Sequence, residues 1–547
     1  MTRLRAGNDG NSAGVRAARP SRRPRPDHGK EPMMVLRSPV SDIDIPDVAL
    51  HEFILADVDG RADKPALIDG PSGRTVTYGD LKQRVHAFAA GLVARGLEPG
   101  GVVGIFSPNL PEYAVAFHGI ARAGGTVTTV NPTATAHELA RQLSDAGARF
   151  LLTAPPFAET ATTAASDAGV EQVFVFGEAE GLTPAAELFG DPSEAPDVHI
   201  EPAEHLVALP FSSGTTGLPK GVMLTHRNLV TNVLQSEAFL ETTQDDVVIG
   251  VLPFFHIYGM TVIMNLALHN GATVVTMPRF DLEQFLGLHQ EHGVTQCYAV
   301  PPIVLALAKH PAVDQFDLSS LRFVMSGAAP LSAELSEAAA GRLGCTVMQG
   351  YGMTETSPVT HVSPLERNKP GTVGVLLPST EARIVDLDTE QDAEPGGRGE
   401  LCMRGPQIMK GYLNDQAATD AMIDRDGWLH SGDIAIVDDE GYFTVVDRVK
   451  ELIKYKGYQV APAELEALLL EHPQISDAAV LGRPDEEAGE IPIAFVVADD
   501  LEPDAVLSFV ADRVAPYKKV RGVEFVDEIP KSASGKILRR ELAERMR

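Results

Sequence analysis

The sequence predicts an α/β protein with a large N-terminal domain of doubly wound, mixed sheets plus a β-rich subdomain, followed by a small α+β C-terminal domain. Three observations predict this. Helical periodicity alternates with short β-rich runs from residue 49 to about residue 347, short β-rich segments with turn signals take over after Lys369, and a separate pattern begins beyond Asp447. At 547 residues the chain also exceeds what a single hydrophobic core serves, so more than one domain is expected.

The elements follow in order. Residues 78–95 read as an amphipathic helix opened by Thr77, 102–106 as a buried strand, 112–123 as a helix and 125–130 as the next strand. Runs at 150–153 and 173–175 continue the series, and strands alternating with helical segments indicate a parallel, doubly wound sheet. A second series starts at Val247 and passes through 274–275, 296–300 and 323–325 to about Val347. In the β-rich subdomain, Asp438-Asp439-Glu440-Gly441 joins 434–437 to 442–446 as a hairpin. The C-terminal pattern reads as helix 462–470, strands 475–481 and 493–497, helix 501–514 and strand 523–526. A boundary at Asp447-Arg448 gives a large domain over 34–447 and a small one over 448–547.

Composition narrows the function classes. The chain is 44% hydrophobic, and no window is long and apolar enough to span a bilayer, so no membrane partner is expected. Its three cysteines, Cys297, Cys345 and Cys402, are far apart and form no CxxC. They read as reduced core residues of a cytoplasmic protein, not as a metal site or disulfide framework. A formal charge of −29 argues against nucleic acid as a partner. Residues 1–33 run against that acidity: Arg3, Arg5, Arg16, Arg19, Arg22, Arg23, Arg25 and Lys30 face only Asp9, Asp27 and Glu31. With few large apolar residues, this stretch predicts a disordered basic tail, and translation is expected to start at Met33 or Met34.

The chemistry concentrates in a few clusters. The run SSGTTGLPKG at 212–221 places hydroxyls, glycines and Lys220 directly after an apolar run. Glycines bring backbone N–H groups close to an anion, so this is a phosphate cradle in composition. Two residues separate Gly214 from Gly217 and a glycine follows the lysine, so it is not a Walker loop. FFHIYG at 254–259 sets His256 and Tyr258 among aromatics ahead of an apolar helix. QGYGMTE at 349–355 offers Glu355 beside Thr354, a carboxylate suited to Mg²⁺ together with nucleotide phosphates. Asp433 of SGD offers an acceptor for ribose hydroxyls, and PKSASGK at 530–536 looks like a mobile loop. No G-x-S-x-G elbow surrounds Ser213, Ser326 or Ser534, which removes the esterase-type reading.

Together with GELCMRG at 399–405, IMKGY at 408–412, DRVKELIKYKG at 447–457 and KYKGYQVAPAE at 454–464, these motifs in this order resemble the acyl-adenylate-forming (AMP-binding) superfamily. The resemblance runs from Met34 to the end and points to the 4-coumarate–CoA ligases, with acyl-CoA synthetases and firefly luciferases nearby. It implies that ATP adenylates a small-molecule carboxylic acid, after which coenzyme A takes the acyl group and AMP leaves. It implies that Ser212, Ser213, Gly214, Thr215, Thr216 and Lys220 hold the β- and γ-phosphates, with Thr354 on the α-phosphate and Glu355 on Mg²⁺. Gln349 and Gly350 would line the adenine, and Asp433 and Arg448 would grip the ribose. Lys536 would serve adenylation, delivered by closure of a mobile small domain. That lid domain would then swing about Lys450 to present Lys454 and Gln459, with Arg279, Lys456 and Gly457 meeting coenzyme A.

By the same resemblance, His256, Ile257, Tyr258, Thr261, Met325, Ala328, Gly352, Pro358 and Val359 line the acyl pocket. The plant hydroxycinnamate ligases commonly carry a lysine before Ser-Gly-Ala-Ala-Pro; here Met325 stands there. A pocket without that donor should discriminate weakly for a phenol, which favours unsubstituted aryl acids such as cinnamate, or medium-chain fatty acids. Two alternatives are an acyl-AMP ligase loading a carrier protein's phosphopantetheine and a non-catalytic nucleotide-binding protein. The second should have lost Lys536, Glu355 or Lys220, and all three are present. Monomer and homodimer are both compatible with the sequence.

Overall fold

The computed structural model describes residues 34–212, 219–456, 458–485, 487–532 and 535–546. The predicted basic tail at 1–33 lies outside the described residues, as do Ser213, Gly214, Thr215 and Thr216 of the phosphate loop, and Gly457.

Two large sheets dominate residues 35–450. In the first, Thr126–Val130, Val102–Phe106, Ala148–Thr153 and Gln172–Val175 run parallel side by side. Leu206–Ala208 extends it parallel to Thr126–Val130, and Lys220–Thr225 and Phe211–Ser212 then close that edge antiparallel. In the second, Thr273–Thr276, Val247–Gly250, Gln296–Ala299, Phe323–Ser326 and Thr346–Gly352 are parallel, and Val359–Val362 and Val375–Leu376 turn antiparallel. Both sheets are therefore mixed, parallel in the middle and antiparallel at an edge.

One strand pair departs from the linear reading of residues 49–200 as a single series. Pro65–Asp69 lies parallel to Thr273–Thr276 in the second sheet, with Thr75–Thr77 on its outer edge. Local periodicity specifies a strand but not its partner, which is chosen by long-range packing.

Helices cover the sheets where the sequence carries their start and stop signals. Tyr78–Ala94 opens with a capping box in which the Thr77 hydroxyl accepts from Asp80 N–H and the Asp80 carboxylate accepts from Thr77 N–H. It buries Tyr78, Leu81, Val85, Phe88 and Leu92 and packs on Pro111–Arg122. Burying side chains of that size contributes about 1.5–3 kcal/mol each. Thr225 and Asn228 make a second such box at the head of His226–Leu240, a helix that lies against the second sheet's antiparallel edge.

The predicted apolar helix after FFHIYG takes an unexpected form. Gly259–Asn265 winds as a π-helix before continuing as α-helix Leu266–His269, and all seven π residues are buried. Such segments occur mostly at functional sites, and this one follows directly on His256, Ile257 and Tyr258.

A third, antiparallel sheet carries Leu36–Arg37, Glu381–Val385, Gly399–Arg404, Leu429–Val437 and Phe443–Arg448, the last two being the predicted hairpin. The fourth sheet begins at Ile453–Tyr455 and holds Tyr458–Val460, Gly489–Ala498, Ile475–Asp485 and Gly522–Phe525. Its cores consist of residues from Ile453 onward, with helices Pro462–Leu470 and Pro503–Ala511 close to their predicted bounds. Ile434, Leu452 and Ala461 pack together where the third and fourth sheets meet.

Candidate functional site

A cleft of about 450 Å³, part of it open to solvent, lies beyond the carboxyl ends of the second sheet's parallel strands. Ligands in open α/β sheets bind at that end. The cleft is lined by His256, Ile257, Tyr258, Met325, Gly327, Ala328, Gly350, Tyr351, Gly352, Met353, Thr354, Pro358, Val359 and Lys536. Residues 280 positions apart therefore face one space, since Lys536 lies in it with His256.

The apolar end is shaped by close approaches. The Tyr258 hydroxyl donates to the Met325 carbonyl at 3.1 Å, and the Met325 methyl packs over Gly350. A Cβ on Gly350 would stand 2.2 Å from that methyl, so a side chain there would displace the end of this methionine. Ala328 and Ser357 hold left-handed backbone, φ 69° and 74°, a conformation that costs non-glycine residues on the order of 1–3 kcal/mol. Strain of this kind gathers at binding sites.

His256 presents a neutral donor. Burial, aided by the nearby Lys536 ammonium, pushes its pKa down to about 3. Its Nδ1 accepts from Tyr258 N–H at 3.3 Å, which leaves the proton on Nε2. Burial and the Arg448 guanidinium lower the Lys536 pKa from the ordinary lysine value, opposed by the charges of Glu355 and Asp433. The turn carrying Lys536 is tied by its own backbone: Lys536 N–H donates to Ser532 Oγ at 3.2 Å, and Ser532 N–H to the Lys536 carbonyl at 2.8 Å.

The polar end is built from three elements. Ser212 and Lys220 face each other in an antiparallel pair, so the ends of the glycine-rich loop are pinned while residues 213–218 lie outside the described residues. Glu355 is buried, and its Oε1 accepts from the Ser212 and Tyr412 hydroxyls at 2.9 Å each. Lys220 Nζ sits 5.4 Å from the Tyr412 ring centroid. This oxygen-rich corner suits a hard cation such as Mg²⁺. Opposite, Asp433 is buried, with Oδ1 3.0 Å from Arg448 Nε and Oδ2 accepting from Tyr351 OH at 2.5 Å. Burial raises the Asp433 pKa, while Arg448 and Tyr351 hold it down.

The structure thus gathers His256, Ile257, Tyr258, Met325, Ala328, Gly350, Gly352, Thr354, Pro358, Val359 and Lys536 around one cleft, with Glu355, Ser212, Lys220, Asp433 and Arg448 at its polar end. Two expected lining residues stand elsewhere. Thr261 is fully buried inside the π-helix, and Gln349 is buried with its side-chain oxygen accepting from Leu331 N–H at 3.1 Å. Neither is among the residues around the cleft: Thr261 is enclosed in the π-helix and the Gln349 side chain is held by Leu331 N–H.

Arg279, Lys450, Lys454, Lys456 and Gln459 are exposed and outside the cleft. Lys454 and Gln459 face each other across a small hairpin, while Lys456 pairs with Glu487 at 2.6 Å. Tyr351 and Tyr412 escaped the sequence reading although both stand inside its motifs. A tyrosine adjoining a carboxylate motif is the signal that would have found them.

Comparison with known proteins agrees with this geometry. The family model for the AMP-binding enzyme matches residues 55–413, and that for the AMP-binding enzyme C-terminal domain matches 464–536. The chain is 46% identical over 523 residues to 4-coumarate–CoA ligase 5 of Oryza sativa subsp. japonica, covering 93% of this chain and 96% of that one. Among solved structures it resembles ATP-bound MatB from Rhodopseudomonas palustris, with TM-score 0.83, 29% identity, and 91% and 99% of the two chains covered. A benzoate CoA ligase from Burkholderia xenovorans LB400 aligns with TM-score 0.82 and 26% identity, covering 90% of this chain and 99% of that one.

Proposed function

Because the chain belongs to the AMP-binding enzyme family, we propose that it is an AMP-forming, ATP-dependent acid–CoA ligase acting on a small-molecule carboxylic acid. The observation that carries this reading is Lys536 standing in one cleft with His256 and Thr354, flanked by Glu355 and Asp433.

The first step brings a carboxylate and a triphosphate together, so cations and donors must meet the charge that develops. Lys536 supplies an ammonium where the carboxylate oxygen attacks the α-phosphate, and the His256 Nε2–H orients the carboxylate without adding charge. Thr354 lines the cleft next to Glu355, where its hydroxyl meets the α-phosphate. Glu355 with the Ser212 hydroxyl would hold Mg²⁺, which supplies charge neutralisation at the phosphates. Lys220 and the loop it closes meet the outer phosphates. Asp433, fixed from both sides by Arg448 and Tyr351, accepts the ribose hydroxyls.

In the second step the coenzyme A thiol attacks the acyl carbonyl and AMP leaves. That step needs Lys536 out of the way, and Lys454, Lys456, Gly457 and Gln459 brought in by rotation of residues 448–547 about Lys450. Lys454 and Gln459 stand exposed while Lys536 occupies the cleft, as the adenylating arrangement of such a cycle requires. Arg279 is exposed and available to a nucleotide phosphate of coenzyme A.

The acid is of the cinnamate type or a medium-chain fatty acid, because Met325 offers the far end of the pocket a methyl group and no hydrogen-bond donor. The acidic charge balance and the scattered, unpaired cysteines favour a cytoplasmic enzyme without a nucleic-acid partner. Among the described residues no helix is long and apolar enough to cross a membrane. The test is pyrophosphate release across a panel of acids, with and without coenzyme A, and identification of the thioester. Acid-dependent release with an acyl-CoA product supports the proposal. An acyl-adenylate that coenzyme A does not consume would redirect it to a carrier protein, and ATP binding without release would redirect it to a non-catalytic role.

A further inference from the structure

The third sheet holds a cluster that the cleft does not use. Glu400 and Cys402 lie two apart on Gly399–Arg404, and His430 is the cross-strand partner of Cys402 on Leu429–Val437. His430 Nδ1 is 2.9 Å from Glu400 Oε2 and 3.4 Å from Cys402 Sγ, and one ligand atom from each residue lies within 4.8 Å of the others. It is the one such group of three among the described residues. The sequence offered no hint of it, since Cys402 and His430 meet only through strand pairing.

We propose that Glu400, Cys402 and His430 form a binding site for a single Zn²⁺ ion, with water as the fourth ligand. Metal–ligand bonds of about 2.0–2.3 Å at tetrahedral angles put ligand atoms roughly 3.3–3.6 Å apart, so small side-chain shifts from the observed spacings suffice. Thiolate, imidazole and carboxylate together suit Zn²⁺ better than Mg²⁺ or Ca²⁺. Cys402 is buried while His430 is 35% exposed, which leaves a path for the ion and its water. On binding, the Cys402 thiol gives up its proton to solvent and Nδ1 of His430 bears the lone pair.

The surroundings fit as well. With Nδ1 on the metal, the Nε2–H faces Asp424, whose Oδ2 is 3.8 Å away and whose Oδ1 accepts from Asp426 and Trp428 N–H. A carboxylate behind a metal-bound histidine fixes its tautomer and orientation. The other oxygen of Glu400, Oε1, accepts from Gly432 N–H at 3.0 Å. Gly432, at φ 70°, is the turn of the bulge that presents Asp433, so the ion would brace the segment beside the ribose acceptor.

Co²⁺ titration of chelator-treated, full-length protein tests the site optically. The expected result is one equivalent of Co²⁺ giving a near-ultraviolet thiolate-to-cobalt band and strong tetrahedral d–d bands, both bleached by Zn²⁺. Cys402→Ser should lose the thiolate band, Cys345→Ser should keep it, and Asp424→Asn should weaken Co²⁺ binding about tenfold. A wild-type protein with no thiolate band overturns the proposal and makes the cluster a hydrogen-bonded network only. A band of equal strength in Cys402→Ser overturns it too, by placing the metal on another thiol. The wild-type reading decides even where a variant fails to fold.

Discussion

The Tyr351 phenol donates to Asp433 Oδ2 at 2.5 Å, while Arg448 Nε lies 3.0 Å from the other oxygen of the same carboxylate. A buried acid is aimed by two partners that oppose the rise burial gives its pKa, one from the second sheet and one from the end of the third. Tyr351→Phe removes one of them. Hydrogen bonds to charged groups contribute roughly 1.5–3 kcal/mol, so the Kd for ATP should rise about tenfold or more. Losing a donor to the charged form raises the Asp433 pKa further, so the acid limb of kcat/KM for ATP should move to higher pH. An unchanged Kd and an unmoved limb in this variant would remove Asp433 from the nucleotide site.

Glu355 accepts from both Ser212 and Tyr412. Glu355→Gln keeps the shape and removes the charge, so the Mg²⁺ concentration for half-maximal pyrophosphate release should rise by on the order of tenfold or more. Tyr412→Phe should produce a smaller shift in the same direction, through freedom of the carboxylate alone. Magnesium titrations of the two variants check this, and equal responses to wild type would place the ion elsewhere.

At the pocket end, Met325 decides the acid. Wild type should use cinnamate or a medium-chain fatty acid at least as well as 4-coumarate, measured as kcat/KM. Met325→Lys should tilt the ratio toward 4-coumarate. A wild-type preference for 4-coumarate of roughly 100-fold, the scale a matched polar partner gives, would contradict this pocket reading.

Burial holds several histidines neutral: the pKa of His361 is pushed down to about 3, as are those of His226 and His256. The unfolded chain binds protons at these groups near pH 6.5 and the folded chain does not, so stability falls as pH drops below that value. At pH 5 each such group costs about 2 kcal/mol relative to pH 8. Urea unfolding at the two pH values should show the loss, and His361→Gln should lose about 2 kcal/mol less between them. A variant with the wild-type pH dependence would show that His361 takes up protons in the fold.

What the sequence made legible follows the range of the forces involved. Helix Tyr78–Ala94 was readable because Thr77, Asp80 and the apolar stripe are all local, and so was helix Pro462–Leu470. The place of Pro65–Asp69 beside Thr273–Thr276 was not, because no local feature specifies a partner about 200 residues away. The cleft residues came through because they occupy contiguous motifs. That Thr261 stands enclosed in a π-helix and Gln349 is held by Leu331 N–H was not readable, because both depend on winding and contacts the motifs do not encode. Tyr351 and Tyr412 went unread because their role is to hold another residue, and the approach of Cys402 to His430 depends on strand register.

The central claim is that Lys536 serves adenylation alone and is withdrawn for thioester formation. The direct test compares wild type with Lys536→Ala in two separate half-reactions: pyrophosphate release from ATP and the acid, and acyl-CoA formation from supplied acyl-adenylate. The account predicts that release falls by roughly 100-fold or more, the scale for losing one preorganised charge-stabilising group, while acyl-CoA formation stays near the wild-type rate. Wild-type pyrophosphate release by the variant, or an equal fall in both half-reactions, would contradict it.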